Sequence, residues 1–217
     1  MLVCCTFSLR RQRFMSSNVG SVTVGVTGAS GVLYAVRTMA ALLSIGVRVE
    51  VVVSDIGRRL LQEELGVQTD SGQLESYLVD RYGVNITRDL FVLHSNKNVG
   101  ASIASGSYSC DAMVIVPCSM KTLAGVAHGS STNLIERAAD VFLKERRRLI
   151  VVPRETPMSL PQLRNMVLAA EAGAHILPAM PAFYQQPETI DDLADFIAGK
   201  VLSCLDIEHR LFPRWTG

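Results

Sequence analysis

An apolar run, Leu149–Val152, ends in VPRETP, so Arg154 and Glu155 stand side by side where a buried strand should stop. Two charges there are costly unless they pair with each other or meet a ligand. A guanidinium offers a planar fork of donors that suits a phosphate or a polarised carbonyl. A neighbouring carboxyl can move a proton where a partly dry site tunes it. The plainer alternative is an Arg–Glu pair that ties down the turn. A second stretch, TGASG at 27–31, lies between an apolar run and a helical pattern. Its Gly28, Ala29 and Ser30 would present bare amides at a helix N-terminus, where the dipole alone favours an anion by about 0.3–1 kcal/mol. The pattern is not GxGxxG, so a mononucleotide phosphate fits better than a dinucleotide. A tight turn with Ser30 as helix cap is the alternative. A third stretch, PCSMKT at 117–122, supplies the hydroxyls of Ser119 and Thr122 and the backbone of Met120 and Lys121. Cys118 has no base beside it in sequence and reads as a small buried thiol. Ser54 before Asp55 reads as a helix cap, and Glu64, next to Glu63, as a surface acid.

The elements that must position these groups alternate along the chain. Strands are expected at 21–27, 47–54, 90–94, 112–118 and 149–153, from runs rich in Val and Ile. Between them Val32, Val36, Ala40 and Leu43 recur at helical spacing, as do Ile56, Leu60 and Leu61, and Leu134, Ala138, Val141 and Phe142. A final helix begins with the capping-box pair Thr189 and Asp192 and carries Ile190, Leu193, Ile197 and Val201 as one apolar stripe. Continuous apolar strands separated by helices imply a mostly parallel sheet covered on both faces, a three-layer α/β sandwich. Ligands on such sheets bind beyond the carboxyl ends of the strands, where all three stretches fall. ASGS at 104–107 reads as a flexible loop of small residues.

Composition narrows the class. The chain has 217 residues, 48% apolar and 19% charged, with net charge +1, which fits one soluble domain with a large core and argues against nucleic-acid binding. No apolar stretch approaches the roughly 20 residues needed to span a bilayer. Five cysteines (4, 5, 110, 118, 204) and four histidines (94, 128, 175, 209) are scattered, with no metal-ligand spacing and no disulfide framework. Residues 1–20 carry three arginines, and the first acid of the chain is Glu50. They read either as a transit peptide or as an extension upstream of a start at Met15, with 21–217 forming the single domain.

Taken together, TGASG (27–31), PCSMKTLA (117–124), NLIERAADVFLKERR (133–147), VPRETP (152–157) and PAFYQQPETIDDL (181–193) resemble the UbiX-type flavin prenyltransferases, also named the phenylacrylic acid decarboxylase family. The resemblance implies a flavodoxin-like or Rossmann-like sandwich that assembles into homo-oligomers, commonly dodecamers, with sites at subunit interfaces. It implies a metal-independent transfer of a dimethylallyl group from dimethylallyl phosphate to N5 and C6 of reduced FMN. The product, prenylated FMN, serves a UbiD-type decarboxylase. On the same ground Gly28, Ala29, Ser30, Ser54, Ser119, Met120, Lys121, Thr122 and Arg154 would hold the flavin. Arg137, Lys144, Arg154, Tyr184 and Lys200 would serve the donor phosphate. Glu64 and Glu155 would act as acid and base, with Ser30 and Trp215 completing the catalytic set. The family position matching Lys200 can be Arg, so this chain keeps the charge and loses the bidentate fork.

The same residues admit plainer roles. Lys144 and Lys200 read as solvated helix cations, Tyr184 as a core tyrosine with a wet hydroxyl, and Trp215 as a small terminal anchor. Rival functions are an FMN-dependent decarboxylase, of phenylacrylic acids or of peptidyl-cysteine, and a non-enzymatic FMN carrier. The expected compartment is the cytoplasm, or the mitochondrion if residues 1–20 are a transit peptide.

Overall fold

The structure is a computed structural model that describes residues 19–69 and 72–213. The 1–20 extension thus falls almost wholly outside the described residues, as does Trp215. Six strands form one parallel sheet: β1 (Ser21–Val26), β2 (Arg48–Val53), β3 (Phe91–Ser95), β4 (Ala112–Cys118), β5 (Arg148–Pro153) and β6 (His175–Ile176). Their order is β3-β2-β1-β4-β5-β6, a doubly wound sheet whose direction of winding switches between β1 and β4. Among the described residues seven α-helices connect and cover it: α1 (Val32–Ser44), α2 (Asp55–Leu65), α3 (Gln73–Tyr82), α4 (Met120–Ala127), α5 (Leu134–Lys144), α6 (Leu160–Glu171) and α7 (Ile190–Cys204). The three-layer sandwich expected from the sequence is present, and its five long strands lie where the Val- and Ile-rich runs put them.

Alternation along each strand builds two cores. Val22, Val24 and Val26 of β1 and Val49, Val51 and Val53 of β2 face α1, α3 and α7. Met113 and Ile115 of β4 and Val151 of β5 face the other way, onto Leu123 of α4, Ile135 and Phe142 of α5 and Ala169 of α6. Each fully buried aliphatic side chain contributes roughly 1.5–3 kcal/mol.

Two stripes differ from the sequence reading. Ile190 is 73% exposed and Ile56 is 55% exposed, so neither packs on its own sheet. Instead Ala194, Ile197, Ala198, Val201 and Leu202 form the buried side of α7, while Thr189 and Asp192 do form the capping box. On α6, Leu160, Leu163 and Val167 point outward and are exposed. The short β6 and helices α3, α4 and α6 had no counterpart in the expected elements.

The loop between α4 and α5 is pinned by Glu136, which is nearly buried at the start of α5. Its Oε2 accepts from Thr132 Oγ1 (2.6 Å), Thr132 N (3.1 Å) and Ser130 Oγ (3.0 Å). Burial opposes its charge, but these bonds outweigh that cost and hold the carboxyl below its ordinary value of 4.5. A depressed carboxyl contributes stability above its unfolded-state pKa and loses it as pH falls through the folded-state value. Glu136→Gln should therefore destabilise the protein at pH 7 by about 1–3 kcal/mol. Urea unfolding should find that gap shrinking once the pH drops below about 4.

Candidate functional site

Four strand ends meet at one edge of the sheet. At the switch point Thr27 joins β1 to β4: its Oγ1 donates to Pro117 O (2.9 Å) and accepts from Ser119 N (2.7 Å). Ser119 then caps α4, its Oγ accepting from Thr122 N (3.3 Å) and donating to Thr122 Oγ1 (3.1 Å). Among the described residues the amides of Met120 and Lys121, the first of that helix, have no acceptor. Two unpaired amides at a helix N-terminus are suited to a phosphate. Ser54 caps α2 in the same way, accepting from Gly57 N (3.0 Å), as the sequence suggested.

The TGASG turn behaves differently. Gly31, with φ of 98°, is the N-cap of α1, so Ser30 does not cap it. The free amides are met from another element: the Glu64 carboxylate accepts from Gly31 N (3.0 Å) and Val32 N (3.1 Å). The negative group at the positive end of α1 is therefore a side chain of α2. Gly28 lies close under the exposed Ile56, whose Cγ2 would stand 2.7 Å from a Cβ at that position. The missing side chain at Gly28 lets Ile56 pack on the turn, and the exposed part of Ile56 offers an apolar contact of the kind a ring system uses.

Arg154 leaves the end of β5 and its Nε donates to Ser30 O (3.1 Å), reaching across the end of β4 to the turn after β1. Among the described residues it forms no ion pair with Glu155, so the plain Arg–Glu turn is not what the chain builds. Glu155 Oε1 accepts from Thr156 N (3.0 Å), which leaves Oε2 available. Tyr34 is a member of this edge that the sequence reading missed. Burial raises its phenol above the ordinary value, the Arg154 charge counters part of that, and Glu64 adds to it. Cys118 is fully buried, and desolvation pushes its thiol far up, in keeping with an inert role.

The remaining expected residues lie elsewhere. Tyr184 and Lys200 are brought together, lining an open cleft of about 480 Å³ with Ser203, Asp206, His209 and Phe212. Tyr184 stands edge-on to Phe196 (6.3 Å), and the Lys200 ammonium lies over the Phe196 and Phe212 rings at 5.6 and 5.9 Å. Lys144 ends α5 and pairs with Glu145 (2.6 Å). Arg137 lies two turns earlier on the same face and pairs with Asp140 (3.0 Å). Since α5 runs back toward the start of β5, Lys144 and Arg154 sit at opposite ends of that strand, whose six residues span about 17 Å. Among the described residues no group of three or more His, Cys, Asp or Glu could hold a metal, and no helix is long and apolar enough to cross a membrane.

A family model described as Flavoprotein matches residues 11–202. A flavin prenyltransferase UbiX of Halalkalibacterium halodurans is 47% identical over 196 residues, 90% of this chain and 93% of that one. The chain belongs to the flavin prenyltransferase family. Another UbiX flavin prenyltransferase, from Thauera aromatica, is 45% identical over 90% of this chain and 94% of its own. A crystal structure of AnUbiX (PadA1) in complex with FMN and dimethylallyl pyrophosphate matches with TM-score 0.82 and 36% identity, covering 92% of this chain and 99% of that one. A dodecameric FMN-dependent UbiX-like decarboxylase of Escherichia coli matches with TM-score 0.79 and 37% identity, covering 91% and 100%.

The α1 cap is the feature of this flavin prenyltransferase edge that stability measurements can read. Glu64→Ala should cost about 0.5–2 kcal/mol in urea unfolding, the usual loss on deleting a helix cap. Glu64→Gln, which keeps a neutral acceptor, should recover part of it.

Proposed function

We propose that this chain joins a dimethylallyl group from dimethylallyl phosphate to N5 and C6 of reduced FMN. The observation that carries the reading is the convergence of Ser30, Glu64, Arg154 and Glu155 on one strand-end edge, in a chain so similar to flavin prenyltransferases. The flavin phosphate would take the Met120 and Lys121 amides, with Ser119, Thr122 and Ser54 around it. The ring would lie over Gly28, Ala29 and Ser30 against Ile56. FMN is here the prenyl acceptor.

Breaking an allylic phosphate ester leaves a cation and a phosphate dianion. Arg154, Lys144, Tyr184 and Lys200 would neutralise the dianion as it forms, which is the main catalytic contribution open to a site without a metal. Arg137, on the Lys144 face of α5, would support that set. Glu155, with one carboxyl oxygen available, would carry the proton between flavin C6 and the leaving phosphate. Glu64 would share this work while fixing the α1 end. Holding donor and acceptor in contact contributes several kcal/mol more, up to about 7–11 at the limit. Trp215 would add an aromatic face near the allyl group.

The wide separation of Lys144 from Arg154 means that one copy does not assemble this set. A complete site takes Arg154 from one subunit and Lys144 from another, so the working form is a homo-oligomer, for which we propose a dodecamer. The product would pass to a UbiD-type decarboxylase. We place the protein in the cytoplasm, or in the mitochondrion if residues 1–20 act as a transit peptide.

Anaerobic incubation with reduced FMN and dimethylallyl phosphate, then mass spectrometry of the extracted flavin, tests the chemistry. The expected result is a gain of one C5H8 unit that Glu155→Gln abolishes. Unchanged flavin despite tight binding would instead leave a carrier or a decarboxylase. Sharing is tested by co-expression: Lys144→Ala and Arg154→Ala should each be inactive alone, and mixed oligomers of the two should regain part of the activity. No recovery in mixed oligomers would place both residues in the same copy's site.

A further inference from the structure

The loop before β4, SGSYSC at 105–110, is not the flexible segment its small residues suggested. Arg147 clamps it with two bonds, Nη1 donating to Tyr108 O (2.7 Å) and Nη2 to Gly106 O. Tyr108 is tied in turn at its hydroxyl, which donates to Glu50 Oε1. Glu50 is completely buried in β2, in a run of valines where an apolar residue would otherwise belong. It has two further partners: His94 of β3, whose Nε2 lies 2.7 Å from Oε2, and Arg48, whose Nε lies 3.2 Å from Oε1. Burial opposes the charge on Glu50, yet the His94 and Tyr108 bonds and the Arg48 charge outweigh it, and the carboxyl lies below its ordinary range. A buried carboxylate with this many partners is a rigid anchor, and the tyrosine hydroxyl is its only bond to the loop among the described residues.

The loop rests on Lys144. A Cβ at Gly106 would stand 2.3 Å from Glu145 Oε1 and 3.1 Å from Lys144 Nζ, so the bare Gly106 backbone lies directly against that ion pair. Ser105 and Ser107, on either side, share a hydrogen bond of 2.9 Å between their hydroxyls. Lys144 itself is half exposed on a flexible stem, and a free lysine loses side-chain entropy when it engages a ligand. A fixed loop against the ammonium removes part of that loss beforehand.

We infer that Tyr108 is a positioning residue for donor binding: anchored on Glu50 and assisted by Arg147, it holds the 105–107 loop against Lys144 and so presents that ammonium to the donor phosphate of a neighbouring copy. This rests on the role proposed for Lys144 above. Among the described residues none of the hydrogen bonds of Glu50, His94 and Tyr108 goes to Ser30, Ser54, Ser119, Arg154, Tyr184 or Lys200, so the inferred route to the donor is through Lys144.

The variant is Tyr108→Phe in the full-length oligomer, which removes one hydroxyl and keeps the ring. Amide hydrogen exchange reads the loop. Calorimetric titration of dimethylallyl phosphate into oxidised, FMN-loaded protein reads donor binding without turnover. The expected results are faster exchange at 105–108, a donor Kd weakened about fivefold, as for one lost hydrogen bond, and an unchanged FMN Kd. In a Lys144→Ala background the same substitution should change the donor Kd no further, an outcome that a general structural role would not give. Arg147→Lys, which loses the two-pronged clamp, should repeat the pattern if Tyr108→Phe folds poorly. An unchanged donor Kd, equal weakening of FMN and donor, or a Tyr108→Phe effect that persists without Lys144 would each overturn the inference. If the wild type binds the donor and Lys144→Ala does not, while Tyr108→Phe is silent, only the inference fails. If Lys144→Ala binds the donor normally, the reading beneath it fails as well.

Discussion

A helix that returns between two parallel strands must run against them, and this constraint decides where every charged group in the chain can work. Whatever follows a strand lands on the carboxyl edge, and whatever ends a helix lands on the other. Arg154 and Glu155 follow β5, so they join Ser30, Ser54 and Ser119 beyond the sheet. Lys144 ends α5, so it lies beside the loops that feed β4 and β5. Within one copy, Lys144 and Arg154 therefore lie at opposite ends of β5. The question raised by two charges at a strand end has its answer in Arg154, which does not need Glu155: the Ser30 carbonyl holds its Nε, and among the described residues the rest of the fork has no partner.

Helix ends of the same kind are used in opposite ways. At α1 the amides of Gly31 and Val32 are taken up by Glu64, and the helix becomes part of a fixed scaffold. At α4 Ser119 satisfies the Thr122 amide from within, and the Met120 and Lys121 amides before it stay open among the described residues. The difference follows from what lies opposite. The α2 helix brings a long acidic side chain over α1, while α4 starts at the switch between β1 and β4 with its first two amides unmet among the described residues. Doubly wound sheets receive ligands at such a switch point.

The strands were legible because buried parallel strands are rich in Val and Ile, with only isolated breaks such as Thr23 in β1 and Glu50 in β2. The strand-end motifs were legible for a related reason, since Gly, Ser and Pro clusters after such runs can only be turns. Ile56 and Ile190 show where the method fails. Helical spacing counts apolar residues but cannot say whether the surface they meet is the chain's own sheet. Glu64 was visible as an acid and invisible as a cap, because its target lies 33 residues away on another helix. Tyr108 and Glu50 are 58 residues apart and share no local pattern, so nothing short of the fold could join them. Two-residue β6 was below the threshold at which any run can be recognised.

The outward apolar face of α6 has a colloidal consequence. Leu160, Leu163 and Val167 lie exposed on a chain whose formal net charge at neutral pH is only +1. A protein this close to neutrality has almost no long-range repulsion to keep its copies apart. The first encounter between two subunits is therefore unguarded, and the choice between an ordered assembly and a precipitate falls to short-range fit. Conditions that add charge of one sign, well below or well above the isoelectric point, would slow both outcomes together.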